Sequence, residues 1–339
     1  MSGPPPLPPR PVRLARRLLT PSATAVEVRR LGRSRVAARA SGRALERAGA
    51  DGSQVVVGPF LGEVGFELLY WIPFLRRALR VAGVAPEQVT AVTRGGAEAW
   101  YGDLAATQAD AVALLGADYP AAVARRSRQG GDAKMLTFEP VDREVLAHLA
   151  MAERGVVHPS LMYAAMRAFW QGRAGVEWAL DRLEVAKLPR PPRPAELDAE
   201  PYLLVRLYAS ETLPRDEGDQ AHVWRILRAI APELRVIVLR REDPLGEHPD
   251  WLAEPPDGVT VVDAAGLDVQ SAYVAHAERM LSTYGGLSYL GPLFGVRTTA
   301  VFARATYNVN HLALARAMFG TRLDAMHVRE LSVEALRAR

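Results

Sequence analysis

The chain has 339 residues, 49% hydrophobic and 24% charged, with no cysteine; this excludes a disulfide framework and thiolate chemistry and predicts a globular protein of two domains. No apolar run approaches the roughly eighteen residues that span a bilayer. The formal charge of +4 is unevenly placed, because residues 1–50 hold eleven arginines and two glutamates, leaving 31 basic against 36 acidic residues for the remainder.

That leader opens "MSGPPPLPPRPVRLARRLLT", rich in proline and lacking the apolar core of a secretory signal. Residues 1–50 are expected to be a disordered basic tail. Their Arg-rich, acid-poor composition also suits an organelle transit peptide, and the interleaving of Arg with Leu over Val12–Leu19 suits a peripheral electrostatic contact with an anionic membrane. Nucleic acid is not an expected partner: the leader has no aromatic residue for base stacking, and the remainder is acidic. A cytoplasmic location is expected, on the inner face of the membrane if the tether operates.

From residue 53 onward, short β-rich runs alternate with helical ones. "QVVVGP" (54–59) reads as a buried strand and "FELLYWIPFLRRALRVAG" (66–83) as a helix, apolar on most of its surface, which Pro73 should kink. A strand over 88–94, a helix over 102–116, a third strand over 133–138 and helices over 142–153 and 160–182 complete a domain of residues 51–188. Prolines crowd the stretch around 189–200, an expected linker. The domain of residues 201–325 follows: strands over 202–209, 235–240, 259–264, 278–283 and 298–303, with helices over 220–232, 269–277 and 287–295. Residues 326–339 are expected to be a terminal helix. Such alternation predicts an α/β protein of two Rossmann-like domains, their parallel sheets facing across a cleft.

"STYGGLSYLGPLFGV" (282–296) sets two glycines where a strand meets a helix. A turn alone is one reading. A nucleophile elbow is another, but Gly286-Leu287-Ser288-Tyr289-Leu290-Gly291 carries one residue too many after the serine. The favoured reading is a phosphate cradle, with backbone N–H groups at the positive end of a helix dipole and no Cβ in the way. The motif resembles the donor-binding segment of GT-B-fold glycosyltransferases, and its spacing is most similar to the heptosyltransferase-like group. Gly285, Gly286 and Gly295 fall on matching places, while Tyr289 stands where that group has histidine. "GEVGFELLYWIPFLRRALR" (62–80) resembles the group's first loop and helix: Glu67 lies six positions before Pro73, with Phe66 replacing a glycine.

The resemblance implies metal-independent glycosyl transfer from a nucleotide-sugar co-substrate to a glycan or lipid-linked hydroxyl acceptor, with no resident cofactor. Glu67, or Glu63, would deprotonate the acceptor. Gly285, Gly286, Leu287, Ser288 and Tyr289, helped by Arg206, would hold the departing diphosphate. Read from the residues alone, Glu63 is equally a helix-cap acid, Glu67 the partner of an arginine, and Arg206 the partner of an acid at a strand end. Arg94, Trp100, Tyr208, Thr212 and His311 are expected to line the cleft or meet the acceptor. The seven histidines show no metal-ligand spacing, and no D-x-D pair occurs. Other GT-B-like transferases, of fucosyl or pyruvyl type, and a catalytically silent sugar- or nucleotide-binding protein are the alternatives.

Overall fold

The computed structural model describes residues 21–130, 135, 137–149, 155–240, 249–252, 258–264, 266–305 and 309–331. Their strands form two sheets, parallel throughout. The N-terminal sheet contains β1 (Val55–Val57), β2 (Val89–Thr93), β3 (Thr107–Asp110) and β4 (Val156–Val157), in the order β3-β2-β1-β4. The C-terminal sheet contains β5 (Tyr202–Arg206), β6 (Arg235–Arg240), β7 (Thr260–Asp263), β8 (Arg279–Thr283), β9 (Arg297–Phe302) and β10 (Met326–Glu330), in the order β10-β9-β8-β5-β6-β7. The apolar run Val55–Val57 is central and wholly buried, its Val56 in register with Thr90 and Val156. Arg206 is the one charged residue of a wholly buried β5, where Leu204 pairs with Ile237 and Met280. The sheets therefore have the expected α/β character.

Several local expectations are corrected. The third strand is Thr107–Asp110, inside the stretch expected to be one helix over 102–116. Its polar residues pair with β2 at an edge, and the Asp110 carboxylate then caps the next helix by accepting from Val112 N at 2.7 Å. Residues 135, 137 and 138 form no strand; 133, 134 and 136 lie outside the described residues. The helix expected over 160–182 divides into Ser160–Trp170 and Val176–Leu180. The helix expected over 142–153 is Pro140–His148, and 150–153 lie outside the described residues. The expected C-terminal helix begins instead as β10, whose Val328 pairs with Ala300, and residues 332–339 lie outside the description.

The largest correction concerns the leader. Residues 1–20 lie outside the description, but Pro21–Asp51 is a continuous helix. Ala38, Ser41, Ala44, Leu45 and Ala48 are buried on one side, at the three- and four-residue spacing of a helical face. Small side chains let this helix lie close: a Cβ on Gly49 would meet Ala82 O at 1.9 Å. Arg35, Arg39, Arg43 and Arg47 remain on its exposed side. The arginine content concealed a core-facing stripe of three alanines, a serine and a leucine.

The expected linker has no helix or strand but is firmly held. Glu184 N and Leu188 N, just before it, donate to Pro73 O at 2.9 Å and Leu293 O at 2.8 Å; within it, Arg190 Nη2 donates to Phe294 O at 3.3 Å, His276 Nε2 pairs with Pro191 O at 2.9 Å and Glu196 Oε1 accepts from Tyr273 OH at 3.0 Å. Leu183, Leu188 and Leu197 are buried. Among the described residues, no helix is long and apolar enough to cross a membrane.

Ser41 tests the docking of the first helix. Its buried hydroxyl accepts from His158 N at 2.9 Å. Ser41→Ala leaves that buried N–H without a partner and should lower stability by about 1–3 kcal/mol in urea unfolding. An unchanged midpoint would mean that the helix is not docked there.

Candidate functional site

In a parallel sheet, loops leaving the C-terminal ends of strands form the ligand face. Here the two such faces meet. The loop after β1 brings Gly65 against the loop after β8, and a Cβ on Gly65 would stand 3.1 Å from Gly286 N. The loop after β2 meets the loop after β7, where a Cβ on Gly96 would lie 2.7 Å from Asp268 N. Trp100 Nε1 donates to Ser271 Oγ at 2.9 Å across the same seam. Farther along, the His311 ring packs on Phe66 and Tyr70, with centroids 5.2 and 5.3 Å away.

On the N-terminal side, the helix that follows β1 is built in three pieces: Val64–Phe66, a π-helical turn Glu67–Trp71, and Ile72–Ala82. Pro73 explains the wide turn. It brings no N–H and its ring collides with the carbonyl four residues back, so Ile72 N reaches to Glu67 O instead. The predicted kink is thus a widened turn, and its first residue is Glu67.

Glu67 is fully buried, and both carboxylate oxygens are engaged: Oε1 accepts from Tyr101 OH at 2.5 Å, Oε2 from Arg94 Nε at 2.7 Å. Burial holds its carboxyl above the usual range, while the Arg94 charge and the Tyr101 and Arg94 hydrogen bonds act in the opposite direction. Arg94 also lies over the Phe60 ring, 5.5 Å from its centroid. The arginine-partner reading of Glu67 is the observed one. Glu63 is exposed at the N-cap position, where its side chain makes no capping hydrogen bond.

On the C-terminal side, Gly285 and Gly286 have φ of +105° and +47°, conformations that turn the chain from β8 into the short 3₁₀ segment Gly286–Tyr289. Tyr208 OH covers this turn, 3.0 Å from where a Cβ on Gly286 would be. Tyr208 is itself fixed by Thr283, whose Oγ1 accepts from Tyr208 N at 2.9 Å and donates to Tyr208 O at 3.0 Å. Tyr289 and Leu287 are buried, the Tyr289 ring stacking on Phe319 at 5.3 Å and meeting Tyr284 edge-on at 6.1 Å. Burial pushes the phenols of Tyr208 and Tyr289 well up, keeping them protonated donors.

Three expectations change in detail, and Arg206 takes the second of its two readings. Ser288 is buried, and its hydroxyl accepts from Gly285 N at 3.1 Å, so it closes its own turn and offers nothing to a ligand. Arg206 is held by Asp250 at the strand end and is likewise buried. Trp100 is buried with its indole N–H on Ser271, making it a strut between the halves and not a sugar contact. The Thr212 hydroxyl pairs with Ser210 Oγ at 2.9 Å, while its carbonyl accepts from Ala303 N and Arg304 N. Glu67, Arg94, Gly285, Gly286, Tyr208 and His311 are brought to the seam; Thr212 serves the C-terminal half alone. Tyr101 is the residue that sequence reading missed. Nothing in one dimension ties it to a carboxylate 34 positions earlier.

No family model and no curated protein matches the chain. Its fold is similar to those of solved glycosyltransferases. The E. coli heptosyltransferase WaaC with ADP-2-deoxy-2-fluoro heptose is 16% identical, over 84% of this chain and 97% of that one, with a TM-score of 0.42. A family 9 glycosyl transferase from Veillonella parvula is 12% identical, over 84% of this chain and 87% of that one, at a TM-score of 0.45. The iron-containing dodecameric glycosyltransferase TibC from enterotoxigenic E. coli is 12% identical over 74% of this chain, at 0.38, and the chain spans 57% of its length.

The Gly285–Gly286 turn makes a direct test. Gly286→Val places a β-branched side chain at φ +47° and against Tyr208 OH, and should destabilise by about 1–3 kcal/mol in chemical unfolding. Gly286→Ala should lose less. Equal, negligible losses would show that neither the left-handed backbone nor the Tyr208 contact constrains the turn.

Proposed function

We propose that the chain is a glycosyltransferase that moves a sugar from a nucleotide-sugar donor to a hydroxyl acceptor, a glycan or a lipid-linked one. The observation that carries this reading is the meeting of the two sheets' ligand faces, with Gly65 against Gly286. A donor seated on the C-terminal half at Gly285–Gly286 would have its sugar directed at groups of the N-terminal half. At Gly285, where a Cβ would have Tyr208 OH only at 3.8 Å, the missing side chain leaves the backbone approachable by a diphosphate.

Of the two candidate bases, Glu63 suits the task better. Its carboxylate is exposed, in the loop that abuts the Gly285–Gly286 turn, whereas the Glu67 carboxylate is enclosed and doubly hydrogen-bonded. Glu63 would take the acceptor proton as the sugar–phosphate bond breaks, while the main-chain N–H groups of Gly286 and Leu287 meet the charge developing on the diphosphate. The enclosure of Glu67 also favours a second reading, a binding protein that holds a nucleotide sugar without turning it over.

A panel of UDP-, GDP-, ADP- and CMP-sugars in a thermal-shift assay tests the function. One ligand at a hundredfold over its Kd should stabilise the protein by about 2.7 kcal/mol. Glu63→Gln should retain that shift and lose ~10²–10⁴-fold in turnover. A parental protein stabilised by a nucleotide sugar but inert toward a broad glycan and lipid screen would favour the binding protein. No shift with any donor would defeat both readings.

The exposed Arg35, Arg39, Arg43 and Arg47 of the first helix support electrostatic contact with an anionic membrane, which would bring the site to a lipid-linked acceptor. The protein should sediment with phosphatidylserine vesicles at low salt and be released at high salt. Absence of binding at low salt would remove the membrane from the proposal.

A further inference from the structure

We infer that Arg94 is the group by which the N-terminal half grips an anion at the seam, a phosphate or a carboxylate, and that Glu67 acts as a positioning residue for it. The inference rests on the glycosyl-transfer reading for the class of molecule that bears the anion.

Arg94 follows β2 directly, and its side chain is only 13% exposed. Its Nε is taken by Glu67 Oε2, but its Nη2 is buried and, among the described residues, has no hydrogen-bond partner. A charged donor in that state is rare in native proteins, because its lost hydration is not replaced. The cause is visible in the neighbours. A carboxylate facing a guanidinium usually accepts from two nitrogens in a fork. Here Tyr101 holds the second Glu67 oxygen at 2.5 Å, so the ion pair is single-pronged and Nη2 is left over.

The place of this donor points to a ligand. Gly95 and Gly96, both at positive φ, lead from Arg94 straight into the contact with Leu267 and Asp268 of the C-terminal half. Phe60 backs the guanidinium from one side and Glu67 fixes its rotation from another. Arg94 and Glu67 neutralise one another in charge, so an added anion meets a rigid donor whose orientation is set beforehand. Glu67 is enclosed, with each carboxylate oxygen already turned to Tyr101 or Arg94, and its buried charge serves to hold the guanidinium still.

Isothermal titration of the full chain tests this with two sets of probes. UDP, GDP and ADP represent a donor diphosphate; glucose 6-phosphate and glucuronate represent an acidic acceptor. The parent should bind one set. Arg94→Gln should weaken that binding roughly tenfold or more, the scale of one charged hydrogen bond. Because Arg94→Gln strands a buried carboxylate and can unfold the protein, the double variant Arg94→Gln/Glu67→Gln removes both charges together and should show the same loss while folded. Tyr101→Phe releases the second Glu67 oxygen to claim Nη2 and should also weaken anion binding, although no charge has been removed. The set that loses affinity identifies the source of the anion.

In turnover assays, Glu67→Gln should raise KM for the anionic substrate and leave kcat within a few-fold. A large fall in kcat at unchanged KM would make Glu67 the base and overturn the inference. So would a folded double variant that binds its anion like the parent, with the glycosyl-transfer reading left standing. If the parent binds neither set while a nucleotide sugar still stabilises it, this inference falls alone; if no donor stabilises it either, the proposed function falls as well.

Discussion

Two parallel sheets that present their ligand faces to each other must reconcile close backbone approach with room for chemistry, and this chain does so with glycine. Gly65 and Gly286 come from opposite halves, and no Cβ fits between them without displacement. Gly96 repeats the device against Asp268. Once those backbones are in contact, Trp100 can reach Ser271 and the His311 ring can close on Phe66 and Tyr70. The seam is thereby built largely from main chain and aromatic rings. Each polar group admitted to it needs a partner, since low dielectric makes an unpaired one expensive.

That requirement explains the fate of the candidate residues. Ser288, Arg206 and Trp100 are polar groups in apolar surroundings, and each is satisfied locally: by Gly285 N, by Asp250 and by Ser271. Arg94 stands apart because its Nη2 is not satisfied among the described residues, and Glu63 because it faces solvent in the loop that touches the glycine turn.

The first helix and the proline-rich strap answer a different need. A β1 of three valines has little of its own to hold it, and the helix Pro21–Asp51 packs beside it and β4. The chain leading into the strap is tied to Pro73 and Leu293, and the strap itself to Phe294, His276 and Tyr273 of the C-terminal half. What looked in one dimension like a tail and a spacer are, from Pro21 onward, packed parts of the scaffold.

The sequence by itself determined the α/β character, most strand and helix positions in the C-terminal half, and the turn at Gly285–Gly286. These follow from local physics: β-branched runs, helical periodicity, and glycine where φ must be positive. It also brought Glu67 and Arg94 to notice as a charge beside an apolar run and a base after a strand. Only the tertiary structure decided what they do. Whether Glu67 is enclosed depends on Tyr101 and Arg94, 34 and 27 positions away, and whether Arg206 is available depends on Asp250, 44 away. The same holds for the core-facing stripe of the first helix, whose burial depends on partners far along the chain. Burial and pairing are properties of what arrives from elsewhere in the fold, and local sequence carries no record of it.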